Sequence, residues 1–235
     1  MKKYIGAFVL VILSGLTTFA GTINPEVTYF NQVRFLGNYK VHLQKGTTQK
    51  VEIKNNDASL LDEKIVCEVE DSVMTIRIKG DTYKAKRMEV VVTYINLNEI
   101  SAKFGCEITT NDVFTNDITF NSESGGKIKA AVDCANVTAT INASGSIHLN
   151  GTTKNAVYKV GAGGTIGAIN LAAAKVFAQV SVGGEIICAV IDDLSIKITS
   201  GGNVSYYGNP EAYEQNIALG GKITKMKKPE EIIAK

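Results

Sequence analysis

The chain has no tryptophan, three prolines and two histidines among its 235 residues. His42 and His148 stand far apart, and no His-Glu-x-x-His, Gly-x-Ser-x-Gly or Walker pattern occurs. The familiar sequence signatures of zinc hydrolases, serine hydrolases and P-loop proteins are therefore missing. Cysteine is scarce as well. Cys67, Cys106, Cys134 and Cys188 show neither a Cys-x-x-Cys pair nor a Cys/His ligand spacing, so no metal site and no cofactor is expected. Charge of one sign is also lacking: the net charge is +2, and no stripe of Lys/Arg interleaved with aromatics appears. That argues against nucleic acid as a partner.

Long apolar runs are confined to the start of the chain. Lys2-Lys3 precede an apolar stretch from Tyr4 to Leu16, followed by the small-residue context Thr18-Phe19-Ala20. The run is short of the roughly 20 residues needed to span a bilayer and has the layout of a secretory signal. Residues 1–20 are read as a signal peptide cleaved near Ala20. The mature chain from residue 21 is then exported, to the periplasm or the outer cell surface, and does not span the membrane.

Glycine, by contrast, is plentiful at 22, and hydrophobic residues make up 45%. This mix suits a β-rich chain with many tight corners. From Gly105 onward one short pattern returns: Gly105-Cys106-Glu107-Ile108, Gly125-Gly126-Lys127-Ile128, Ser144-Gly145-Ser146-Ile147 and Gly163-Gly164-Thr165-Ile166. It continues as Gly183-Gly184-Glu185-Ile186, Gly201-Gly202-Asn203-Val204 and Gly220-Gly221-Lys222-Ile223. Counted at the second residue of each, the spacings are 20, 19, 19, 20, 18 and 19. A fixed period of this size marks a solenoid of stacked coils.

Read by column, the repeat separates core from surface. Ile108, Ile128, Ile147, Ile166, Ile186, Val204 and Ile223 form a column of β-branched aliphatics. The neighbouring column, Glu107, Lys127, Ser146, Thr165, Glu185, Asn203 and Lys222, is wholly polar. That is the in/out alternation of a strand copied in every coil. A second ladder lies four residues before that second residue in every unit after the first, at Ser122, Ile141, Val160, Val180, Ile198 and Ile217. Gly126, Gly145, Gly164, Gly184, Gly202 and Gly221 are assigned to the corners, where positive φ or a sharp bend needs glycine. A phosphate cradle would need a helix after the glycines, and a strand follows each time.

The region before the repeat alternates too. Val33–Phe35, Val41–Leu43, Val51–Ile53, Ile65–Val69, Val73–Ile78 and Met88–Val92 read as strands, with Thr22 to Asn31 as a leading segment and one helical turn at 58–63. Residues 21–95 are expected to form irregular first coils or a cap, 96–224 the regular coils, and 225–235 a charged tail. Lys225, Lys227, Lys228 and Pro229 read as gatekeepers of the last edge. The coil register forbids a Cys106–Cys188 disulfide, because four coils at about 4.8 Å each exceed the reach of about 7 Å between Cα atoms.

The outward acids Glu107, Asp112, Asp117, Asp133, Glu185, Asp192 and Asp193 scatter over columns and coils. Cleavage of a glycosidic bond needs two carboxylates roughly 5–9.5 Å apart, and no catalytic pair is assigned.

Val33 to Val41, Gly46 to Ile53, Val73–Ile76, Val90 to Ile100, the Ser-Gly coils and Tyr206-Tyr207-Gly208-Asn209-Pro210 resemble the head GIN domain family of bacterial exported proteins, grouped as autotransporter adhesins. The resemblance implies an all-β, single-chain parallel β-helix, right-handed, with no catalytic residues to carry over. It implies a non-enzymatic binding or adhesion module of the cell envelope, with a glycan or protein at the cell surface as partner. Two other readings stay open: a carbohydrate-active lyase or hydrolase on the same scaffold, and a structural protein that associates with copies of itself.

Overall fold

In the computed structural model, residues 21–57, 59–80 and 86–227 are described. The expected signal segment and residues 228–235 of the tail lie outside them.

The regular unit is best seen in the strand β11, Lys127–Ala143. Ile128, Ala130, Val132, Cys134, Val137, Ala139 and Ile141 point inward and are buried. The alternation breaks once, at Ala135-Asn136, where two successive residues are exposed. That break swings the chain from the first ladder to the second without ending the strand. β12 (Ser146–Ala162), β13 (Thr165–Val182) and β14 (Glu185–Ser200) repeat the unit. Each is hydrogen-bonded in parallel to the one before.

Between units the chain turns on two consecutive residues with positive φ. These are Ser144-Gly145, Gly163-Gly164, Gly183-Gly184, Gly201-Gly202 and Gly220-Gly221. At the first two corners the pair sits one residue earlier, at Phe104-Gly105 and Ser124-Gly125. Cys106 and Gly126 then follow the left-handed pair, and each donates its N–H back across the turn, to the carbonyls of Lys103 and Glu123. Gly126 is therefore no left-handed corner residue. Its requirement is space, because a Cβ there would lie 2.2 Å from the Ala102 carbonyl oxygen.

The Ile ladder is longer than the seven coils of the repeat. β9 (Glu107–Phe114) brings Ile108 beside Val41 of β3 (Lys40–Lys45). Val41 pairs with Val90 of β7 (Met88–Tyr94), and Val90 with Ile53 of β4 (Lys50–Asn55). Ile53 is covered by Ile23 of β1 (Thr22–Ile23). At the other end Ile186 meets Val204 of β15 (Asn203–Tyr207), which meets Ile223 of β17 (Lys222–Lys225). From Ile53 to Val204 every member is buried, and Ile223 is partly buried. Each such side chain contributes roughly 1.5–3 kcal/mol, and only stacking makes that burial available.

The N-terminal third does not stack in chain order. The second ladder runs β6 (Val73–Ile78), β2 (Gln32–Leu36), β8 (Glu99–Lys103), β10 (Ile118–Glu123), and then β11 onward. The first coil in sequence thus lies between the second and third. Both ladders are then closed by strands running the other way. β4 is antiparallel to β7, and β5 (Ile65–Glu70) is antiparallel to β6. The N-terminal third thus combines threaded coils with antiparallel closing strands. The helical turn lies slightly later than expected, as a 3-10 turn at Asp62–Lys64. Tyr39 ties this region together by donating its hydroxyl to the Ile76 carbonyl at 2.7 Å.

At the far end β16 (Ala212–Leu219) is the last strand of the second ladder, paired with β14 alone. Tyr213 and Ile217 occupy inward columns that are buried in every earlier coil of the repeat, yet they are 44% and 41% exposed. Nothing among the described residues stacks beyond them.

Candidate functional site

The inward columns are filled by packing, so a recognition surface has to come from the outward ones. On the second ladder one outward column reads Gln32, Glu99, Thr119, Thr138, Val157, Phe177, Ser195, Glu214 in stack order. Val157 and Phe177, on adjacent coils, are the two apolar members of this otherwise polar column. Both are half-buried and flanked by polar neighbours.

Beside this column runs the bend between the two ladders, which carries its own polar row. Asn136 donates its backbone N–H and its side-chain amide to the Asp117 carboxylate, at 2.9 and 2.7 Å. Asn155 donates to the Asn136 side-chain oxygen at 2.9 Å. One coil further, Lys175 pairs with Asp193 at 2.6 Å, and this contact holds the Lys175 ammonium above its ordinary pKa. On the opposite side lies the column Ser101, Asn121, Thr140, Lys159, Gln179, Lys197, Asn216.

Between the bend and the face lie two open depressions on the same line. One, of about 350 Å³, is lined by Gln32, Asn98, Glu99, Asp117, Thr119 and Asn136 among others. The second, of about 530 Å³, is lined by Asn155, Val157, Lys175, Phe177, Asp193 and Tyr213 among others. They follow one another on adjacent coils and mark out a line along the stack, the trough of the second ladder. With strands about 4.8 Å apart, it extends roughly 35 Å from Gln32 to Glu214. Its upstream half is polar, and its downstream half has an apolar floor with hydrogen-bonding walls.

The outward acids are dispersed by the structure as well. In the strand registers none of them stands opposite another. Most carry a separate local task. Asp112 accepts from the Lys45 backbone N–H and, at 3.2 Å, from the Tyr94 hydroxyl. Asp117 holds Asn136, Asp133 accepts from Thr152, and Asp193 holds Lys175. No group of three or more His, Cys, Asp or Glu side chains among the described residues is placed to hold a metal. His148 is exposed in the outward column of Lys129, with its ring lying over Gly167. His42 lies in the N-terminal coils, in a column with Thr109.

The cysteines are free thiols. Burial pushes the Cys188 thiol up to about 12, and raises Cys106 strongly. Such groups are poor nucleophiles, because the thiolate is the reactive form. The seven assigned ladder residues and six assigned glycines build the wall and its corners. None of them lines either depression. Val157 and Phe177 went unassigned in the sequence, although the signal is present: each follows an inward residue, Ala156 or Val176, at a position where other coils carry Thr119, Thr138 and Ser195.

Residues 29–210 match the family described as "Putative auto-transporter adhesin, head GIN domain". Among solved structures, one described as a putative adhesin from Bacteroides fragilis is similar over 87% of this chain and 96% of its own, with a TM-score of 0.78 and 22% identity. A putative adhesin from Parabacteroides merdae is similar over 88% and 96%, with a TM-score of 0.69 and 21% identity. A protein described as a putative lipid binding protein, from Parabacteroides distasonis, is similar over 88% and 96%, with a TM-score of 0.68 and 18% identity. At these identities the likeness is one of fold. No curated protein matches the sequence. No helix among the described residues is long and apolar enough to cross a membrane.

Proposed function

The chain belongs to the family described as putative auto-transporter adhesin, head GIN domain, and from that premise we propose that it is an exported, non-enzymatic binding module that lays a glycan chain along the trough of the second ladder. The observation that carries the reading is the pair Val157 and Phe177, apolar in an otherwise polar outward column and walled by Asn155, Lys175 and Asp193. A pyranose ring has an apolar C–H face and a rim of hydroxyls. A floor of apolar side chains with a few placed polar groups at its edge matches both parts. The open ends and the length suit a polymer more than a small molecule. An acyl chain laid there would keep one side in water, since the inward side of these strands is already packed.

Export is supported by the Lys2-Lys3 start and the short apolar run to Leu16. The separate partners of Asp112, Asp117, Asp133 and Asp193 support recognition over hydrolysis, because a cleaving pair must work jointly on one bond.

The test is a glycan array followed by calorimetry on the best hit, with Phe177→Ala alongside. Loss of binding at unchanged melting temperature supports the trough. Binding that Phe177→Ala leaves intact moves the site elsewhere, and failure to bind any glycan removes this reading. A reducing-end release assay on the same preparation separates binding from cleavage. Release abolished by an outward Asp→Asn change would make the protein an enzyme.

A further inference from the structure

The two outermost strands at the C-terminal end are protected unequally. Strand β17 carries Lys222 and Lys225, with Lys227 just beyond, and lysine on an edge strand opposes pairing with another chain. β16, the parallel last strand of the second ladder, has the sequence Ala-Tyr-Glu-Gln-Asn-Ile-Ala-Leu, with no Lys, Arg or Pro and Glu214 as its single charge. All eight of its residues are exposed, and its backbone has no neighbour among the described residues on the side away from β14. An eight-residue edge with apolar members and a single charge is a template for strand addition.

We infer that β16 is a docking edge for a second copy of this chain, joined end to end through an antiparallel β16–β16 pair. Three observations favour that occupant. First, the molecule already ends its parallel ladders this way at the other pole, where β4 and β5 run antiparallel to β7 and β6. Second, the strand can pair with a copy of itself so that the inward positions Tyr213, Gln215 and Ile217 face one another. Inward residues can face inward residues only if both positions share parity, and a two-fold axis through Gln215 sets Tyr213 against the partner's inward Ile217 position. Aromatic and β-branched side chains make a favourable cross-strand pair. Third, this register places Glu214 against an Asn216 position. A shift of the axis to Glu214 would instead oppose two like charges, which is unfavourable. Docking would also cover the inward Ile217 and Tyr213 side chains, over which nothing among the described residues stacks. The inference does not depend on what the trough binds.

Light scattering of the exported, purified full chain is expected to give the mass of two chains, falling to one on dilution. Ile217→Lys puts a charge on the edge and is expected to give one chain at every concentration, with an unchanged circular dichroism spectrum. As a positive readout, Gln215→Cys should cross-link on mild oxidation. Residues directly opposite in an antiparallel pair have Cα atoms about 4.5–5.5 Å apart, inside the disulfide range of about 4.4–6.8 Å. A single-chain mass at all concentrations overturns the proposal. So does a dimer that survives Ile217→Lys and does not cross-link at 215, since it would use another surface. A chain that dimerises only after residues 228–235 are removed would show that its own tail occupies the edge.

Discussion

At the N-terminal pole, Lys50–Asn55 and Ile65–Glu70 run against the stack, and Ile53, near the end of the Ile ladder, is 1% exposed. At the C-terminal pole, Ala212–Leu219 runs with the stack, and Ile217, at the end of its own column, is 41% exposed. The same kind of side chain in the same kind of column differs because, among the described residues, one pole is covered and the other is not. In a solenoid each coil is sheltered only by its neighbours, so burial at a terminus depends on what the chain does after the repeat stops. The N-terminal chain folds back over itself, threading β2 and β3 between later strands. The C-terminal chain, through Lys227, does not.

The largest effect should come from the middle, where both neighbours are present and neither pole matters. Ile147→Asp buries a charge in a fully enclosed column and is expected to cost more than about 4 kcal/mol, enough to prevent folding. Ser146→Asp, one residue away on the outward side, should leave the denaturation midpoint nearly unchanged. Similar midpoints for the two would mean that the faces are misassigned.

The poles are compared directly by truncation. Ile53→Ala should cost about 2–4 kcal/mol as a buried large-to-small change, whereas Ile217→Ala should cost under about 1.5 kcal/mol where dimerisation is suppressed by dilution. Amide hydrogen exchange should agree, with slow exchange in β4 and β7 and fast exchange in β16. Equal costs would show that the C-terminal pole is covered in solution.

Alkaline pH should loosen the covered pole. Burial holds the Cys67 thiol, in the capping strand β5, at about 12 against an ordinary 9.0. The folded state therefore keeps its proton more tightly than the unfolded chain does. The stability linked to this group is fully present below about pH 9 and is lost as pH rises toward 12. Cys67→Ala should flatten part of the decline seen in urea titrations across that window. A decline of the same steepness in the variant would assign it to other buried groups, such as Cys188 or Tyr39.

The smallest effect is expected at a corner. At Gly163 the φ is 69°, and an added Cβ would meet nothing within 4 Å. Ser124 and Ser144 hold the corresponding corner position at φ 51°. Gly163→Ser should therefore cost about 1 kcal/mol, the left-handed backbone term alone. A much larger loss would show that this corner is packed against something.

Much of the architecture was legible because a repeat makes register visible without any three-dimensional information. The Ile108-to-Ile223 column and the Ser122-to-Ile217 column could be aligned by counting, and the strands pair in those registers. The strands of the first 95 residues were legible from their alternation, but their stacking order was not. Alternation says which face a residue takes and is silent on which strand lies beside it. The left-handed pair at Phe104-Gly105 and Ser124-Gly125 was obscured for a related reason: one extra residue follows each of these turns, and alignment on the Ile column hides it. The trough was hidden because its parts, such as Asn136, Asn155, Lys175 and Phe177, are individually ordinary surface residues. Only the bend, at 135–136 and at the matching positions of the next two coils, sets the polar row beside the apolar pair.

The sequence by itself determined the coil, its period and its inward columns, since these follow from local alternation repeated at a fixed interval, and it located the later corners but not the left-handed pairs at Phe104-Gly105 and Ser124-Gly125. The tertiary structure decided how the ends are finished: the threaded first coils, the antiparallel cap and the β16 edge, which only β14 pairs among the described residues. Those features depend on pairings between segments distant in the chain, where the hydrophobic pattern permits several neighbours and only the assembled stack selects one.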